Sequence, residues 1–424
     1  MKVLIVGSGG REHAFAWSLA QSPHVTDLIC APGNAGIAQH ARCVNLNVED
    51  VRGIADFAEA EKVDLTVVGP ERPLILGLVD EMKRRGMRVY GPSAAAARLE
   101  GSKAFTDEIL ARHGISRKRF QVFDAPEPAA EYVRQVGAPV VVKADGDAFG
   151  KGVKVAQTVE EALAAIDNCM VNKLYGKSGE RVVVEECLVG QEVSVKVFTD
   201  GTTVVPMAPA QDYKRIGDGD KGDNTGGMGC YSPVPVLDQT MFDDIIARFI
   251  KPTVVAMAEE GCPYWGTLYG GIILTADGPE MLEYNCRFGD PETQVILPRL
   301  ESDLFEVLWA AADGTLDQAK VSWKPEKAVC VVVASGGYPG AYEKGKVISG
   351  LDAAAAQPGV VVFHAGTRMQ EHNVVTDGGR VLGVTGLGAT FREARQRAYD
   401  AVGLISFEGM YCRSDIGQRA EAAE

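Results

Sequence analysis

The sequence predicts a multidomain α/β protein in which an N-terminal parallel sheet precedes two further units rich in strands. The chain has 424 residues, which corresponds to roughly three domains at about 150 residues each. Apolar strands alternate with helical segments only in the first part of the chain. A third unit, rich in Val and Gly, begins at Lys327. We therefore expect domains at residues 1–100, 101–326 and 327–424.

The N-terminal part shows the alternation most clearly. Lys2–Val6 is a short apolar strand, and Arg11–Ser22 has the apolar spacing of a helix. The strand pattern returns at Asp27–Cys30, Asp64–Val68 and Arg88–Tyr90, and a turn containing Pro or Gly follows each of them. This order is typical of a parallel sheet that binds ligands at the carboxyl ends of its strands.

The rest of the chain contains more strands than helices. Helices are expected from Ser102, a favourable N-cap, to His113, and at Val159–Asp167 and around Met241–Glu260. Gly217–Gly229 has the composition of a glycine-rich loop. The expected central strands are Val140–Lys143, Lys154–Ala156, Val182–Glu186, Glu192–Phe198, Thr267–Leu274 and Met281–Asn285. The expected C-terminal elements are strands at Ala328–Ala334, Val360–His364 and Arg380–Thr385, followed by a helix at Phe391–Ala401.

Composition excludes several classes of protein. The net charge of −14 disfavours contact with polyphosphate, so no nucleic-acid partner is expected. Apolar stretches are far shorter than the ~20 residues of a membrane span, and Met1–Gly7 enters a strand without room for a signal peptide. The nine cysteines and six histidines show no zinc-site spacing. We expect a reduced cytoplasmic chain with buried thiols such as Cys30 and Cys330, and without a structural metal.

The segment Gly7–Glu12 lies between a predicted strand and a predicted helix, where backbone N–H groups can hold an anion. Glu12 occupies the last glycine position of G-x-G-x-x-G, and the second strand ends in Ala31-Pro32 where an acid would bind ribose. A nicotinamide cofactor is therefore not expected. A phosphate site and a tight structural turn both remain open.

The strand Val140–Lys143 leads into a second candidate phosphate loop. This loop has three glycines and Lys151, and its backbone donors could fold over phosphates. It is not a P-loop, because it lacks G-K-[ST] and no helix follows. The alternative is an exposed hairpin with solvated lysines. Acids at the next strand end, Glu185 and Glu186, could accept from a ribose hydroxyl, although acids there are usually only solvated.

The segment Leu282–Gln294 carries the strongest chemical pattern. Glu283 and Asn285 alternate along a predicted strand, so both side chains leave the same face. A carboxylate and an amide oxygen suit Mg²⁺, which leaves its other positions to phosphate and water. If the strand extends to Arg287, this side chain also lies on that face. Its guanidinium could then form a bidentate hydrogen bond with a carboxylate or a phosphate. The alternative is a structural ion pair.

Together these segments resemble the ATP-grasp ligases, and more closely the phosphoribosylamine–glycine ligase family of purine biosynthesis. NTGGMG and NCRFGDPETQ are highly specific to that family. The matching motifs are VGSGGREHA at 6–14, APGNAG at 31–36, VGPE at 68–71, EGSKAF at 100–105, NTGGMG at 224–229, EYNCRFGDPETQ at 283–294, FHAGT at 363–367 and GGRVL at 378–382.

The resemblance implies an α/β and α+β multidomain fold: an N-terminal α/β domain, a central ATP-grasp fold and a small β-rich C-terminal domain. A mobile lid lobe is implied at about residues 120–190. The implied reaction joins glycine to 5-phospho-D-ribosylamine through glycyl phosphate, giving glycinamide ribonucleotide, ADP and phosphate in de novo purine biosynthesis. The implied cofactors are ATP and Mg²⁺, or Mn²⁺. We expect small-molecule partners only, no membrane, and a monomer, with a dimer as the alternative.

The resemblance also implies site residues. The implied metal ligands are Glu283 and Asn285, and the implied catalytic residues are Lys143, Arg287 and Asp290. The implied ATP-binding residues are Lys103, Lys143, Gly150, Lys151, Gly152, Glu185, Glu186, Leu188 and Glu192. The implied residues for the substrate phosphate and ribosylamine are Gly9, Gly10, Arg11, Glu12, Asn34, Gly36, Asp212, Lys214, Asn224, Thr225, Gly226 and Gly227.

Several positions depart from the usual family pattern, among them Ser116-Arg117, which stand where Pro-Thr usually follows Gly-Ile. Asp147 and Phe149 stand in the phosphate loop, Tyr213 stands where His is common, and Asp223 stands where Pro often precedes NTGGMG. Asp147 is expected to point outward, with a place near Mg²⁺ as the alternative. Two rival functions remain open: an ATP-grasp enzyme for another substrate class, such as a ribonucleotide carboxylase, and an inactive nucleotide-binding protein.

Overall fold

The computed structural model describes residues 1–146 and 152–424. Its N-terminal sheet is parallel, with the strand order β3-β2-β1-β4-β5. The strands are β1 (Lys2–Gly7), β2 (Asp27–Pro32), β3 (Arg42–Cys43), β4 (Leu65–Val68) and β5 (Val89–Tyr90). The helices are α1 (Gly10–Leu19), α2 (Val51–Ala60), α3 (Glu71–Ile75), α4 (Leu78–Arg84) and α5 (Ala94–Gly101). The predicted parallel sheet is confirmed. Helix α1 ends three residues before the predicted Ser22, which precedes a proline and is therefore disfavoured in a helix.

A four-stranded antiparallel sheet follows, with the order β6-β9-β7-β8; we call it the lid sheet. It is reached through α6 (Lys103–Arg112), whose N-cap Ser102 accepts a hydrogen bond from Phe105 N, as the sequence predicts. The strands are β6 (Phe120–Phe123), β7 (Val140–Ala144), β8 (Val153–Ala156) and β9 (Val182–Glu186). The helices are α7 (Pro126–Val136) and α8 (Val159–Ile166), and a π-helical turn at Asp167–Val171 continues α8.

The second antiparallel sheet of the central unit has the order β11-β10-β16-β17; we call it the main sheet. The strands of this part of the chain are β10 (Gln191–Asp200), β11 (Val204–Pro206), β12 (Gln211–Asp212), β13 (Arg215–Gly217), β14 (Lys221–Asn224), β15 (Gly229–Ser232), β16 (Trp265–Thr275) and β17 (Gly278–Asn285). The helices are α9 (Gln239–Ile245), α10 (Lys251–Glu259), α11 (Thr293–Ile296) and α12 (Leu304–Asp313). A π-helical turn at Ile246–Ile250 joins α9 to α10 in one helical stretch.

The C-terminal sheet has the order β12-β15-β18-β22-β19, and β23 pairs with one end of β18. This sheet therefore includes two strands, β12 and β15, that precede residue 327, where the C-terminal domain was expected to begin. The strands of this part of the chain are β18 (Lys327–Ser335), β19 (Val360–His364), β20 (Thr367–Gln370), β21 (Asn373–Thr376), β22 (Arg380–Gly388) and β23 (Met410–Tyr411). The helices are α13 (Leu351–Ala355), α14 (Phe391–Val402) and α15 (Gln418–Ala423).

One local prediction is wrong. Gly217–Gly229, expected to be a loop throughout, contains strand β14, which pairs with β13 in a short hairpin. Arg413, whose side chain is fully buried, fastens this hairpin by donating to Arg215 O at 2.8 Å and to Asp220 Oδ1 at 3.0 Å. The hairpin is held by a residue nearly two hundred positions away, so local composition does not reveal it.

The interior is apolar, as the composition predicts. The thiols of Cys30 and Cys330 are fully buried, which agrees with the expectation from their apolar surroundings. Among the described helices, none is long and apolar enough to cross a bilayer.

Candidate active site

Strand β17 presents the predicted metal ligands beside a β-bulge. The bulge falls at Leu282 in the pairing of β17 with β16. The Leu282 carbonyl oxygen accepts hydrogen bonds from Lys118 Nζ and from Lys143 Nζ, each at 3.3 Å. Glu283 and Asn285 follow the bulge two residues apart and therefore share one face. The bulge thus places two ammonium groups next to the predicted metal ligands.

Lys103, at the start of α6, lies against the first of these ligands. Its Nζ is 2.9 Å from Glu283 Oε2. The Lys103 ammonium holds the pKa of Glu283 far below its usual range, so this carboxylate is ionised at neutral pH. Asn285 Oδ1 accepts one hydrogen bond from Arg287, at 3.2 Å. A carboxylate and an amide oxygen therefore lie together beside a cationic group.

Four charged side chains, Asp107, Lys118, Lys143 and Glu185, form a group that we call the buried quartet. Lys118 Nζ lies 2.9 Å from Asp107 Oδ1 and 2.8 Å from Glu185 Oε2. Lys143 Nζ lies 2.8 Å from the other oxygen, Glu185 Oε1. Each side chain is less than a tenth exposed. The quartet contains two positive and two negative groups, so its formal charge is balanced.

Burial and ion pairing act in opposite directions on the buried quartet. Burial alone would raise the pKa of Glu185, but the Lys143 and Lys118 ammonium groups lower it to about 2. Burial, together with the Glu185 carboxylate, raises the pKa of Asp107 to about 6. Burial also lowers the pKa of Lys143. Glu185 is therefore the stable anion that the two lysines share.

The other residues predicted to bind adenosine lie where β9 leads into β10. Glu186 accepts hydrogen bonds from the backbone N and the Nε of Arg119, at 2.8 and 2.9 Å. Leu188 is half-buried in the connection that follows. Glu192 lies on β10, where burial raises the pKa of its carboxyl group. The charges of Lys214 and Glu283 also act on this group. Of these three residues, Glu192 is the one whose carboxyl interacts with Glu283 and Lys143.

The predicted substrate loop, Asn224–Gly227, is fixed at both ends. Thr225 donates to Lys214 O through its backbone N at 2.8 Å and through Oγ1 at 2.9 Å. Lys214 Nζ lies 2.8 Å from Asp212 Oδ2. Gly227 has a φ of +114°, and a Cβ there would lie 2.5 Å from Pro291 Cδ. Glycine is therefore required where this loop passes the segment that carries Asp290.

Asp290 connects three parts of the chain. Its Oδ2 accepts from Arg11 N at 3.4 Å, and its Oδ1 accepts from Gln294 Nε2 at 2.9 Å. Arg380 of β22 donates to Asp290 O at 2.8 Å and to Gly226 O at 2.7 Å. Asp290 therefore lies where α1, the substrate loop and the C-terminal sheet meet.

Arg287 is held by two carboxylates of the N-terminal part of the chain. Its guanidinium lies 2.9 Å from Glu100 Oε1 and 3.4 Å from Glu71 Oε2. Arg287 Nε is buried without a hydrogen-bond partner in the described part of the chain. This Nε is the atom that lies 3.4 Å from Glu71 Oε2, so it takes part in an ion pair without a well-aligned hydrogen bond.

The predicted anion site at the start of α1 is partly taken by the protein's own carboxylates. Gly9 N donates to Glu12 Oε2 at 2.6 Å, and Arg11 Nε lies 2.5 Å from Glu12 Oε1. A Cβ at Gly10 would lie 2.4 Å from Gln294 Nε2. These contacts are those of a tight structural turn, and phosphate binding at this turn stays a prediction.

Both polar atoms of the Asn34 side-chain amide form hydrogen bonds within the protein. Its Nδ2 donates to Ser8 O and to His364 O, each at 2.8 Å, and its Oδ1 accepts from Gly36 N at 2.9 Å. A Cβ at Gly36 would lie 2.4 Å from His13 Cε1. Asn34 thus joins the N-terminal part of the chain to the C-terminal part, and Gly36 leaves room for the His13 ring.

Part of the predicted phosphate loop lies outside the described residues. This applies to Gly150 and Lys151, and to the unusual Asp147 and Phe149. Gly152 is described and buried, and its carbonyl oxygen accepts from Ala144 N at 2.8 Å. The antiparallel pairing of β7 with β8 agrees with the predicted strand–loop–strand arrangement.

Comparison with known proteins identifies the family. Models of the N, ATP-grasp (A) and C domains of phosphoribosylglycinamide synthetase match residues 1–100, 101–293 and 328–419. The chain is 52% identical to the phosphoribosylamine–glycine ligases of Vibrio parahaemolyticus, over 100% of this chain and 99% of the relative, and of Rhizobium meliloti, over 100% of each. The chain belongs to the phosphoribosylamine–glycine ligase family.

Solved structures agree with this assignment. Phosphoribosylamine–glycine ligase from Thermotoga maritima matches with a TM-score of 0.86 at 33% identity, over 98% of this chain and 100% of that one. The biotin carboxylase domain of the Hydrogenobacter thermophilus 2-oxoglutarate carboxylase matches with a TM-score of 0.74 at 15% identity, over 97% of this chain and 91% of that one. The second likeness shows the fold alone.

Membership of the phosphoribosylamine–glycine ligase family confirms two expectations from the sequence. The fold is an ATP-grasp fold with a parallel N-terminal sheet and a β-rich C-terminal part. The chain is an ATP-dependent ligase of de novo purine biosynthesis. The match over the whole chain also decides against a ligase or carboxylase for another substrate class.

Sequence reasoning missed several residues that hold this ligase site together. Lys118 and Asp107 are buried in the quartet, and Arg380 joins the substrate loop to Asp290. Lys118 stands between Arg117 and Arg119, which are exposed, so the local pattern is that of a solvated basic segment. Arg380 lies in the GGRVL motif, which was a usable signal for its importance.

Two buried histidines join the N-terminal and C-terminal parts of the ligase. The rings of His13 and His364 lie 5.5 Å apart, and His364 N donates to His13 Nδ1 at 2.7 Å. Burial holds the pKa of His13 well below its usual value and lowers the pKa of His364 to about 4. Both rings are therefore neutral in the folded protein at neutral pH.

Acidification is expected to unfold the ligase partly through these histidines. In the unfolded chain both histidines bind a proton near pH 6.5, whereas His364 in the folded protein binds one only near pH 4. The free energy of unfolding is therefore highest above pH 6.5 and decreases as the pH falls from 6.5 through about 4. For His364 the loss is about 3 kcal/mol. Urea unfolding at several pH values measures it. His364→Gln should reduce the pH dependence, whereas His372→Gln, at an exposed position, should not. Equal pH dependence in both variants would contradict this role.

Proposed function

We propose that this ligase binds Mg²⁺–ATP between the lid sheet and the main sheet and uses it to activate glycine for attack by 5-phosphoribosylamine. The observation that carries the proposal is the meeting of Lys103 from α6, Lys143 from β7 and Glu283 from β17 in one charged group. Two ammonium groups beside a predicted metal ligand can balance the charge of a triphosphate. Both lysines would contact phosphate oxygens.

The residues present fit a divalent cation. Glu283 is ionised, and Lys103 contacts only one of its two oxygens, Oε2. Asn285 supplies an amide oxygen from the same face of β17. Mg²⁺ is usually bound by one or two oxygen atoms of a protein, and phosphate and water oxygens complete its coordination shell. When bound, the ion would offset charge on the transferring phosphoryl group.

The chemistry follows from the weakness of a carboxylate as an electrophile. A glycine carboxylate oxygen attacks the γ-phosphorus of ATP, the bond to the β–γ bridging oxygen breaks, and ADP leaves. The amine of 5-phosphoribosylamine then attacks the acyl carbon of glycyl phosphate. The C–O bond to phosphate breaks and the amine loses a proton, giving glycinamide ribonucleotide and phosphate. The protein positions these groups, so no nucleophilic side chain is required.

The remaining site residues have proposed places around this centre. Glu185, Glu186, Leu188 and Glu192 would border the adenosine. Asn224–Gly227, with Asp212 and Lys214, would hold the amino-acid and ribosylamine side of the cleft. Asp290 and Arg287, which lie between that loop and α1, would orient the reacting groups. The start of α1 would lie nearest the ribose phosphate.

The domain organisation is also a proposal. We assign residues 1–100, 101–326 and 327–424 to three domains, with the lid lobe at about 120–190. The lid sheet, whose strands all lie between Phe120 and Glu186, supports the lid assignment. The nine free thiols support a cytoplasmic location. The monomeric state stays a prediction.

Substrate-dependent ADP release tests the proposed function. Phosphoribosylamine is generated in the assay, and glycine, alanine and bicarbonate are compared as co-substrates with and without Mg²⁺. We expect release with glycine and Mg²⁺, and none above background with bicarbonate or with chelator. Release that depends on bicarbonate, or glycine-dependent release that persists in chelator, would contradict the proposal.

A further inference from the structure

We propose that Lys118 is a positioning residue that keeps Glu185 neutralised when Lys143 turns from Glu185 to the phosphates of ATP. The inference rests on the proposed contact of Lys143 with phosphate and adds a residue that does not itself touch the nucleotide. Lys118 would thereby set how readily Lys143 becomes available to ATP.

The geometry gives each lysine its own oxygen. Lys143 Nζ lies 2.8 Å from Glu185 Oε1, and Lys118 Nζ lies 2.8 Å from Glu185 Oε2. Asp107 Oδ1, at 2.9 Å, holds Lys118 from the opposite side. Lys143 can therefore move away from Glu185 without disturbing the contact between Glu185 and Lys118.

Burial makes this second contact necessary. The side chains of Lys118 and Glu185 are 2% and 3% exposed, so water cannot replace a lost partner. A buried charge left without its partner is strongly unfavourable. Without Lys118, departure of Lys143 would leave Glu185 uncompensated, and Asp107 would already lack a partner. ATP would then have to compete with Glu185 for Lys143.

The places of these residues in the fold agree with this role. Lys118 lies in the connection between α6 and β6, where the chain enters the lid sheet, and Asp107 lies on α6. Glu185 and Lys143 lie on neighbouring strands of the lid sheet, β9 and β7. The Lys118 ammonium also donates to Leu282 O, beside the predicted metal ligand Glu283. The buried quartet thus links the lid sheet to the body of the ligase.

Two variants of Lys118 distinguish its contribution to the stability of the fold from its contribution to the KM for ATP. Lys118→Met should lower the unfolding temperature and raise the KM for ATP about tenfold or more, because Glu185 then retains Lys143. The KM for glycine should change less than twofold. The double variant Asp107→Asn/Lys118→Met removes the stranded Asp107 charge. It should recover most of the unfolding temperature but keep the high KM for ATP.

Two further variants complete the experiment. Arg117→Met removes the same charge from the neighbouring exposed position and should change neither the unfolding temperature nor the KM for ATP. Lys143→Met tests the proposed function on which the inference rests. Its failure to lower kcat would refute the phosphate contact itself. Loss of activity in Lys143→Met with a normal KM for ATP in the double variant would overturn the inference alone. If Lys118→Met does not fold, the double variant decides the question.

Discussion

Lys143→Met is expected to lower kcat by roughly 10²–10³-fold, which is the usual effect of removing one donor that stabilises developing charge. Lys143 Nζ lies at the end of β7 beside Leu282 O and Glu185, where the proposed phosphoryl transfer takes place. The variant should still fold, because Lys118 continues to neutralise Glu185. The measurement is kcat for glycine-dependent ADP release, with circular dichroism as the check on folding.

Lys154→Met is the matched control for this substitution. Lys154 lies on the neighbouring strand β8, is half exposed, and contacts Glu161 at 3.2 Å on the surface of the lid sheet. Its removal should leave kcat within about twofold of wild type, as expected for an exposed ion pair. A Lys143→Met enzyme with the same kcat as this control would remove Lys143 from the catalytic group.

Glu283→Gln is expected to reduce activity at limiting Mg²⁺ by about 10–100-fold or more. Substitution of residues that only support a metal ligand has an effect of this size, so loss of a ligand should cost at least as much. The substitution keeps the size of the side chain but removes the carboxylate charge that a divalent cation requires. It also takes away the partner of Lys103, 2.9 Å distant. A Mg²⁺ titration of activity measures the change, and thermal unfolding shows whether the fold is kept.

Asp277→Asn provides the comparison for Glu283→Gln. Asp277 is exposed in the turn between β16 and β17, so the same loss of a carboxylate occurs on the same hairpin away from the cleft. Its Mg²⁺ titration should match that of the wild type. If Glu283→Gln also matched the wild type across the titration, the assignment of Glu283 as a metal ligand would be wrong.

Much of the local structure is predictable because its signals are short in sequence. Ser102 caps α6 through a hydrogen bond that spans three residues, and Glu283 and Asn285 share a face because of the strand period. The glycine at 227 belongs to a specific motif, although its close approach to Pro291 is visible only in the fold. The hairpin of β13 and β14 was missed, because Arg413 holds it from the far end of the chain.

The sequence by itself determined the alternation of strands and helices in the N-terminal part, the family motifs and the chemical types of the proposed ligands, because each depends on neighbours within a few residues. Only the tertiary structure decided that Lys118 and Asp107 are buried with Glu185, and that carboxylates occupy donors at the start of α1. The physical reason is that the burial and pairing of a charge depend on segments far apart in sequence. An exposed lysine and one that serves as the counter-ion of a buried carboxylate have the same local sequence pattern.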